Sequence, residues 1–196
     1  MINQLSFFQN IHNLQRTIQV KIQKANIYFN LKDYDKAECE YLKLYEESVL
    51  HNFKNRMNAC TDNLSFIYFV KNDYDNCLKY IQYSRDNGST FPDLNYYKAY
   101  IFYKTKDINT AKKEIKNLLG YDNDSNIDHV LKLIQAFINE NDKNVEYYFN
   151  LSIKDFKIIN SIIDTQLIYE MVLDYYKDIN PQRVKELLPE YIELIR

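Results

Sequence analysis

The chain has 196 residues, a formal net charge of -2 and 27% charged residues, but only 2 glycines and 3 prolines. Turn-rich sandwiches and barrels, which need glycine at joint after joint, are excluded by that shortage. With only Gly88 and Gly120, so are phosphate-cradling and dinucleotide-binding loops built on clustered glycines.

The remaining class is all-α. Apolar residues make up 46% of the chain, enough for a sizeable core and too many for a disordered chain. The charge balance provides no basic footprint, so no direct nucleic-acid contact is expected. No apolar run reaches the ~18 residues of a membrane span, so no membrane association is expected. The opening segment, MINQLSFFQNIHNLQ, lacks the basic start and clean apolar stretch of a signal peptide. Cys39, Cys60 and Cys77 are odd in number and stand at no metal-binding spacing. They read as reduced thiols of a cytoplasmic protein.

In chain order, residues 3–14 read as a lone helix, which sets 1–15 apart from a repeat domain over 16–196. Helix pairs follow at about 16–31 with 35–49, 53–71 with 75–87, and 93–105 with 109–119. Two further pairs fall at about 127–140 with 144–152 and 156–177 with 181–195. The repeats therefore span about 16–50, 53–88, 93–120, 127–152 and 156–196.

The joints carry the repeat signal. Asp-x-Asp or Asp-x-Asn recurs at Asp33, Asp73, Asp107, Asp142 and Asp178, at separations of 34 to 40 residues. The second acid or amide of each joint is read as the N-cap of the following helix, as in Asp35 with Glu38 as a capping-box pair. Asn180 precedes Pro181, which suits a first helical position. Gly88 and Gly120 fall where helices should end. Around the first three joints a small residue precedes an aromatic by three: Ala25 before Tyr28, Ser65 before Tyr68, Ala99 before Phe102. Another small residue follows at Ala37, Cys77 and Ala111, with Tyr41, Ile81 and Ile115 four later on the same face. Small residues let helices approach, and the aromatic fills the gap alongside.

This pattern resembles the tetratricopeptide repeat (TPR), a helix–turn–helix unit of about 34 residues. The likeness covers about residues 17 to 196, without the consensus first-helix Trp or the closing Pro. It implies a right-handed superhelix of about five degenerate TPR-like repeats, whose first helices line a concave groove. Groove positions are then Gln19, Gln23, Asn26 and Asn30 in the first repeat, and Ala59, Asn63, Phe66 and Val70 in the second. Asp93, Tyr97, Tyr100 and Lys104 follow in the third, and Asp128, Lys132, Gln135 and Asn139 in the fourth. Spacings of four and three put each set on one stripe. Amides can clamp a peptide backbone through donor and acceptor together, and aromatic walls read side chains by shape.

The segment from Arg56 through Asn63 to Tyr68, followed by Lys71 to Asp75, resembles the central repeats of the RRNPP peptide-pheromone receptors and their phage arbitrium relatives. That resemblance implies that Asn63, nine residues before Asn72, holds a peptide backbone, and that Arg56 contacts the ligand. The chain departs from the family by having only about 15 residues before the first repeat, with no basic recognition helix. The peptide-binding set is Gln23, Asn26, Arg56, Asn63, Phe66, Tyr97, Tyr100, Lys132, Gln135 and Asn139.

No catalytic chemistry is expected. His12, His51 and His129 are scattered, and no H-E-x-x-H, C-x-x-C or G-x-S-x-G motif occurs. No cofactor or metal is expected. Cys39 and Cys77 read as packing residues, and Cys60 as the thiol to test for reactivity. The apolar run from Ile158 to Tyr175 exceeds what one neighbour can cover. It predicts burial from a second side, by the last helix or by a homodimer. Two functional readings follow: a peptide-binding regulator of quorum-sensing or phage-communication type, and a generic adaptor for a folded protein partner.

Overall fold

The computed structural model describes residues 4–119 and 125–195, and is helical throughout that range. Among the described residues there are ten helices: α1 (Gln4–Asn30), α2 (Tyr34–Leu50), α3 (Lys54–Val70), α4 (Tyr74–Asp86), α5 (Asp93–Lys104), α6 (Ile108–Leu118), α7 (Ser125–Ile138), α8 (Asp142–Ile158), α9 (Ile162–Tyr176) and α10 (Pro181–Ile195). Two compact units divide the chain, Met1–Leu94 and Asn95–Arg196. In the first, α1 packs on α2, α2 on α3, and α3 on α4. In the second, α6 packs on α7, α7 on α8, α8 on α9, and α9 on α10.

Short joints replace glycine turns. Lys32, Asn52, Asn72, Lys106, Glu140 and Asn160 all adopt a left-handed φ between 50° and 65°. Among the described residues, Gly88 alone fills such a position with the residue best suited to it, at φ 84°. Around Lys32 the hydrogen bonds form a Schellman cap: Lys32 N–H donates to the Phe29 carbonyl, and Asp33 N–H to that of Tyr28. Asp33 then caps α2 by accepting from Lys36 N–H. One residue thus closes one helix and opens the next, which is why the joints can be so short.

This geometry moves the caps. Asp33, Asp73 and Asp107, the first acid of each motif, are the N-caps. Asp35 instead sits in the first turn of α2, where a negative charge still favours the exposed amides. Glu38 makes no capping box; it accepts from the Tyr68 hydroxyl at 2.7 Å and pairs with Lys71 at 2.6 Å. At the fourth joint the cap is Asn141. The expected last joint holds, with Asn180 accepting from Arg183 N–H and Pro181 opening α10. Gly88 lies at its joint as expected, whereas Gly120 lies outside the described residues.

Two element boundaries differ from expectation. Residues 4–14 do not form a separate helix: α1 runs unbroken to Asn30, with no glycine or proline to interrupt it. Further on, α8 continues to Ile158, and α9 starts at Ile162. Asn160 in the left-handed conformation and Ser161 as N-cap cut the apolar run that reads as one helix.

The small-residue columns are where two helices touch. Ala25, Ala37, Ser65, Cys77, Ala99 and Ala111 are all fully buried. Tyr41, Ile81 and Ile115, one turn on, are buried as well. Cys39 is exposed, contrary to the packing role expected of it. The C-terminal apolar surplus finds its second side in α10. Tyr169 donates to Glu190 and Tyr191 to Glu170, both at 2.6 Å, and Gln166 to the Leu194 carbonyl at 3.1 Å. Leu167, Ile168, Met171, Val172 and Tyr175 of α9 are buried, while Ile158, Ile159 and Ile162 stand exposed at the α8–α9 corner.

Candidate functional site

The ten expected groove residues fall into two sets of five, one in each unit. In the first unit, Gln23 is exposed and half-buried Asn26 donates to its Oε1 at 3.5 Å. The Asn26 carbonyl oxygen is already engaged, because the fully buried Tyr41 donates its hydroxyl there at 2.6 Å. Half-buried Asn63 turns its amide back along α3 and donates to the Ala59 carbonyl at 2.7 Å. Its Oδ1 remains the group with which it could meet a ligand. Phe66 is buried against Phe29 and Tyr34, with ring centroids 5.1 and 6.2 Å away. Arg56 stands apart from these, lining a shallow cleft of about 270 Å³ with Gln15 and the start of α3.

In the second unit the expected aromatic wall is core. Tyr97 and Tyr100 are 2% and 7% exposed, where an open wall was expected. Helix α5 is bonded directly to α9, and that closes over these rings. Tyr96 donates to Asp164 at 2.7 Å, Tyr100 to Asp174 at 3.4 Å, and Lys104 pairs with the same Asp174. Lys132 is half-buried, and Gln135 and Asn139 are exposed.

None of those five lines the concavity that the second unit does possess. A cleft of about 700 Å³ opens at the joint end of α5, α7 and α9. That volume is in the range of small-ligand sites, about 300–1,000 Å³. Its floor is a run of rings: Tyr103 lies 5.7 Å from Phe137, and Phe137 stacks on Tyr175 at 4.8 Å. Ile108, Ile138 and Ile179 add apolar surface. The mouth is charged, with Lys104, Lys106 and Lys177 interleaved with Glu140, Asp142, Asp174 and Asp178.

The electrostatics of the mouth follow from its pairs. Burial raises the Asp174 carboxyl, but hydrogen bonds and charge from Lys104 and Lys177 outweigh it and hold the group below the usual carboxylate value. Tyr175 donates to Asp142 at 3.0 Å, and burial together with that carboxylate pushes its hydroxyl pKa up. Tyr103 is raised mainly by burial, with help from the charges of Asp174 and Glu140. Both phenols therefore stay protonated at neutral pH, and that of Tyr175 acts as a donor.

Much of this lining was visible in the sequence under another reading. Ile108, Asp142, Asp178 and Ile179 belong to the recurring joints, where capping explained them. Only packing brings three successive joints side by side and gives them a common cavity. Cys60 is fully buried, and burial pushes its thiol up to about 12, so it is an inert packing residue.

No protein-family model matches this chain, and no curated protein matches it.

Proposed function

We propose that this protein is a non-enzymatic cytoplasmic regulator that binds a short signalling peptide, on a TPR-like array of helix pairs. The observation that carries the reading is the cleft of about 700 Å³ with an aromatic floor inside a polar rim. Rings supply apolar contact at low entropic cost, and the rim supplies directional hydrogen bonds. The resemblance around Asn63 supports the same reading, with Gln23, Asn26 and Asn63 of the first unit as further backbone contacts. Ligand occupancy would bias the joints that frame the cleft and so alter a regulatory output.

The test is isothermal titration of the full chain with penta- to octapeptide pools, repeated on Asn63→Ala and Asp142→Asn. Binding tighter than about 100 μM that weakens in Asp142→Asn supports the cleft as the seat. Loss in Asn63→Ala alone moves the seat to the first unit. No binding at all removes the peptide reading.

A second reading is favoured by one observation. Val20 and Ile27 of α1 and Leu31 just beyond its end are 69%, 58% and 72% exposed. Such a stripe fits an adaptor that docks a folded protein, which would form a stoichiometric complex broken by Ile27→Glu. A homodimer through Leu188, Ile192 and Ile195, exposed on α10, is tested by sedimentation velocity of the wild type against Ile192→Glu.

A further inference from the structure

The charges around the cleft of the second unit are not equivalent. Asp174 is taken by two lysines, Lys104 and Lys177. Asp142 accepts the Tyr175 hydroxyl and keeps its second oxygen. Glu140 and Asp178 form no ion pair among the described residues, and both are exposed at the mouth. The third lysine, Lys106, points its ammonium at the Tyr103 ring, 5.7 Å from the centroid. That is within cation–π range. The aromatic lining therefore already holds a cation, one supplied by the chain itself.

An incoming anion would meet unfavourable terms here. With Lys104 and Lys177 held by Asp174, it would have Lys106 alone to pair with and would lie beside Glu140, Asp142 and Asp178. An incoming cation meets three carboxylates outside any salt bridge of the described residues, Asp178 feeling only the nearby charge of Lys177, and an aromatic face suited to it. Among cations, a guanidinium is the better match. It is planar, so it stacks on a ring, and its fork of donors fits carboxylates two at a time. Lys106 is also held in a left-handed backbone conformation at φ 65°, on the same joint as the ring it covers.

We propose that the cleft captures an arginine side chain of the bound peptide, stacked on Tyr103 and fixed by Glu140 and Asp178, and that Lys106 is an internal plug this guanidinium displaces. The inference builds on the peptide reading above and adds the residue class that the site selects.

The test uses the full chain and two pairs of probes. One pair is N-acetylarginine methylamide and its citrulline counterpart, which has nearly the same shape without the charge. The other pair is a hexapeptide carrying a single arginine or a single citrulline, with a glutamate version as control. The expected result is binding of each arginine probe at least tenfold tighter than its citrulline partner. In the double variant Glu140→Gln/Asp178→Asn that preference falls below threefold, with an unchanged circular dichroism spectrum. In Lys106→Met the arginine probes bind about threefold more tightly, because the ring no longer has to be vacated. Equal binding of arginine and citrulline peptides overturns this inference and leaves the peptide reading standing. Arginine-selective binding of the small amide, with no peptide bound, upholds the guanidinium site and overturns the peptide reading. Preference for the glutamate peptide overturns the inference by naming the lysines as readers. Absence of binding by every probe overturns both.

Discussion

Asp174 on α9 accepts a hydrogen bond from Lys104 on α5, a residue 70 positions earlier in the chain. Lys177, three residues beyond Asp174, donates to the same carboxylate at 2.7 Å. One side chain therefore ties together the two helices that flank the cleft, and it keeps two of the three lysines at the mouth engaged.

The pH response of that tie has a definite sign. The folded-state pKa of Asp174 is lowered, so its contribution is present above the ordinary carboxylate value of 3.8 and is lost as pH falls below it. Its side chain is 29% exposed, so solvent screening limits the effect. Asp174→Asn should destabilise the chain at pH 7 by about 1 kcal/mol, lowering Tm by about 2–4 °C. The difference should shrink as pH falls from 3.8 toward the lowered folded value, and be smaller at pH 3 than at pH 7. Urea unfolding of both proteins at the two pH values checks it, and an unchanged gap at pH 3 would show that the ion pair is not the cause.

Tyr41→Phe removes the hydroxyl that a fully buried ring donates to Asn26. The ring itself still packs, and half-buried Asn26 can turn to water, so the cost should be near that of one hydrogen bond, about 1 kcal/mol. The same variant frees the Asn26 carbonyl oxygen. If Asn26 contacts a peptide, affinity rises while stability falls. Opposite movement of those two readings, from calorimetry and titration, distinguishes this from general loosening.

The left-handed joints offer a stabilising change. Lys32 sits at φ 58°, which costs an ordinary L-residue about 1–2 kcal/mol relative to a right-handed conformation. Lys32→Gly relieves this but loosens the unfolded chain, leaving a net gain of about 0.5–1 kcal/mol. A rise in the urea midpoint with an unchanged slope is the expected result. A drop would mean that the lysine side chain contributes more than its backbone costs.

The thiols should sort by burial. Cys39 is exposed, whereas Cys60 and Cys77 are fully buried and have thiols pushed up by desolvation. A disulfide reagent at neutral pH should modify one thiol promptly in the native protein and three in urea. Prompt reaction of a second native thiol would show that the α2–α4 packing opens readily.

Legibility along the chain tracked the range of the determining interaction. The pairs from α2 to α5 were readable because small–aromatic–small columns and caps act within one turn or one joint. The α8–α9 boundary was harder. Asn160 and Ser161 are only two polar residues within a stretch holding Ile158, Ile159, Ile162 and Ile163, and a left-handed asparagine carries less sequence signal than a glycine. The register of the caps was shifted by two at the first three joints. A Schellman closure that shares its last residue with the next N-cap leaves the first acid, not the second, at the start of the helix.

The sequence by itself determined an all-helical chain with short joints, because glycine and proline are scarce and the joints before α2, α4, α6, α8 and α9 carry side chains that cap locally. It also determined which small residues lie between helices, since their spacing is set by the helical repeat. Which faces stay open was decided only by tertiary structure. Tyr97 and Tyr100 were placed in the core when α5 bonded to α9 through Asp164 and Asp174, partners nearly 70 or more residues away. The same long-range packing set three joints side by side and made one cleft from the ring-bearing ends of α5, α7 and α9 and from joint residues that, taken one joint at a time, are only caps and turns.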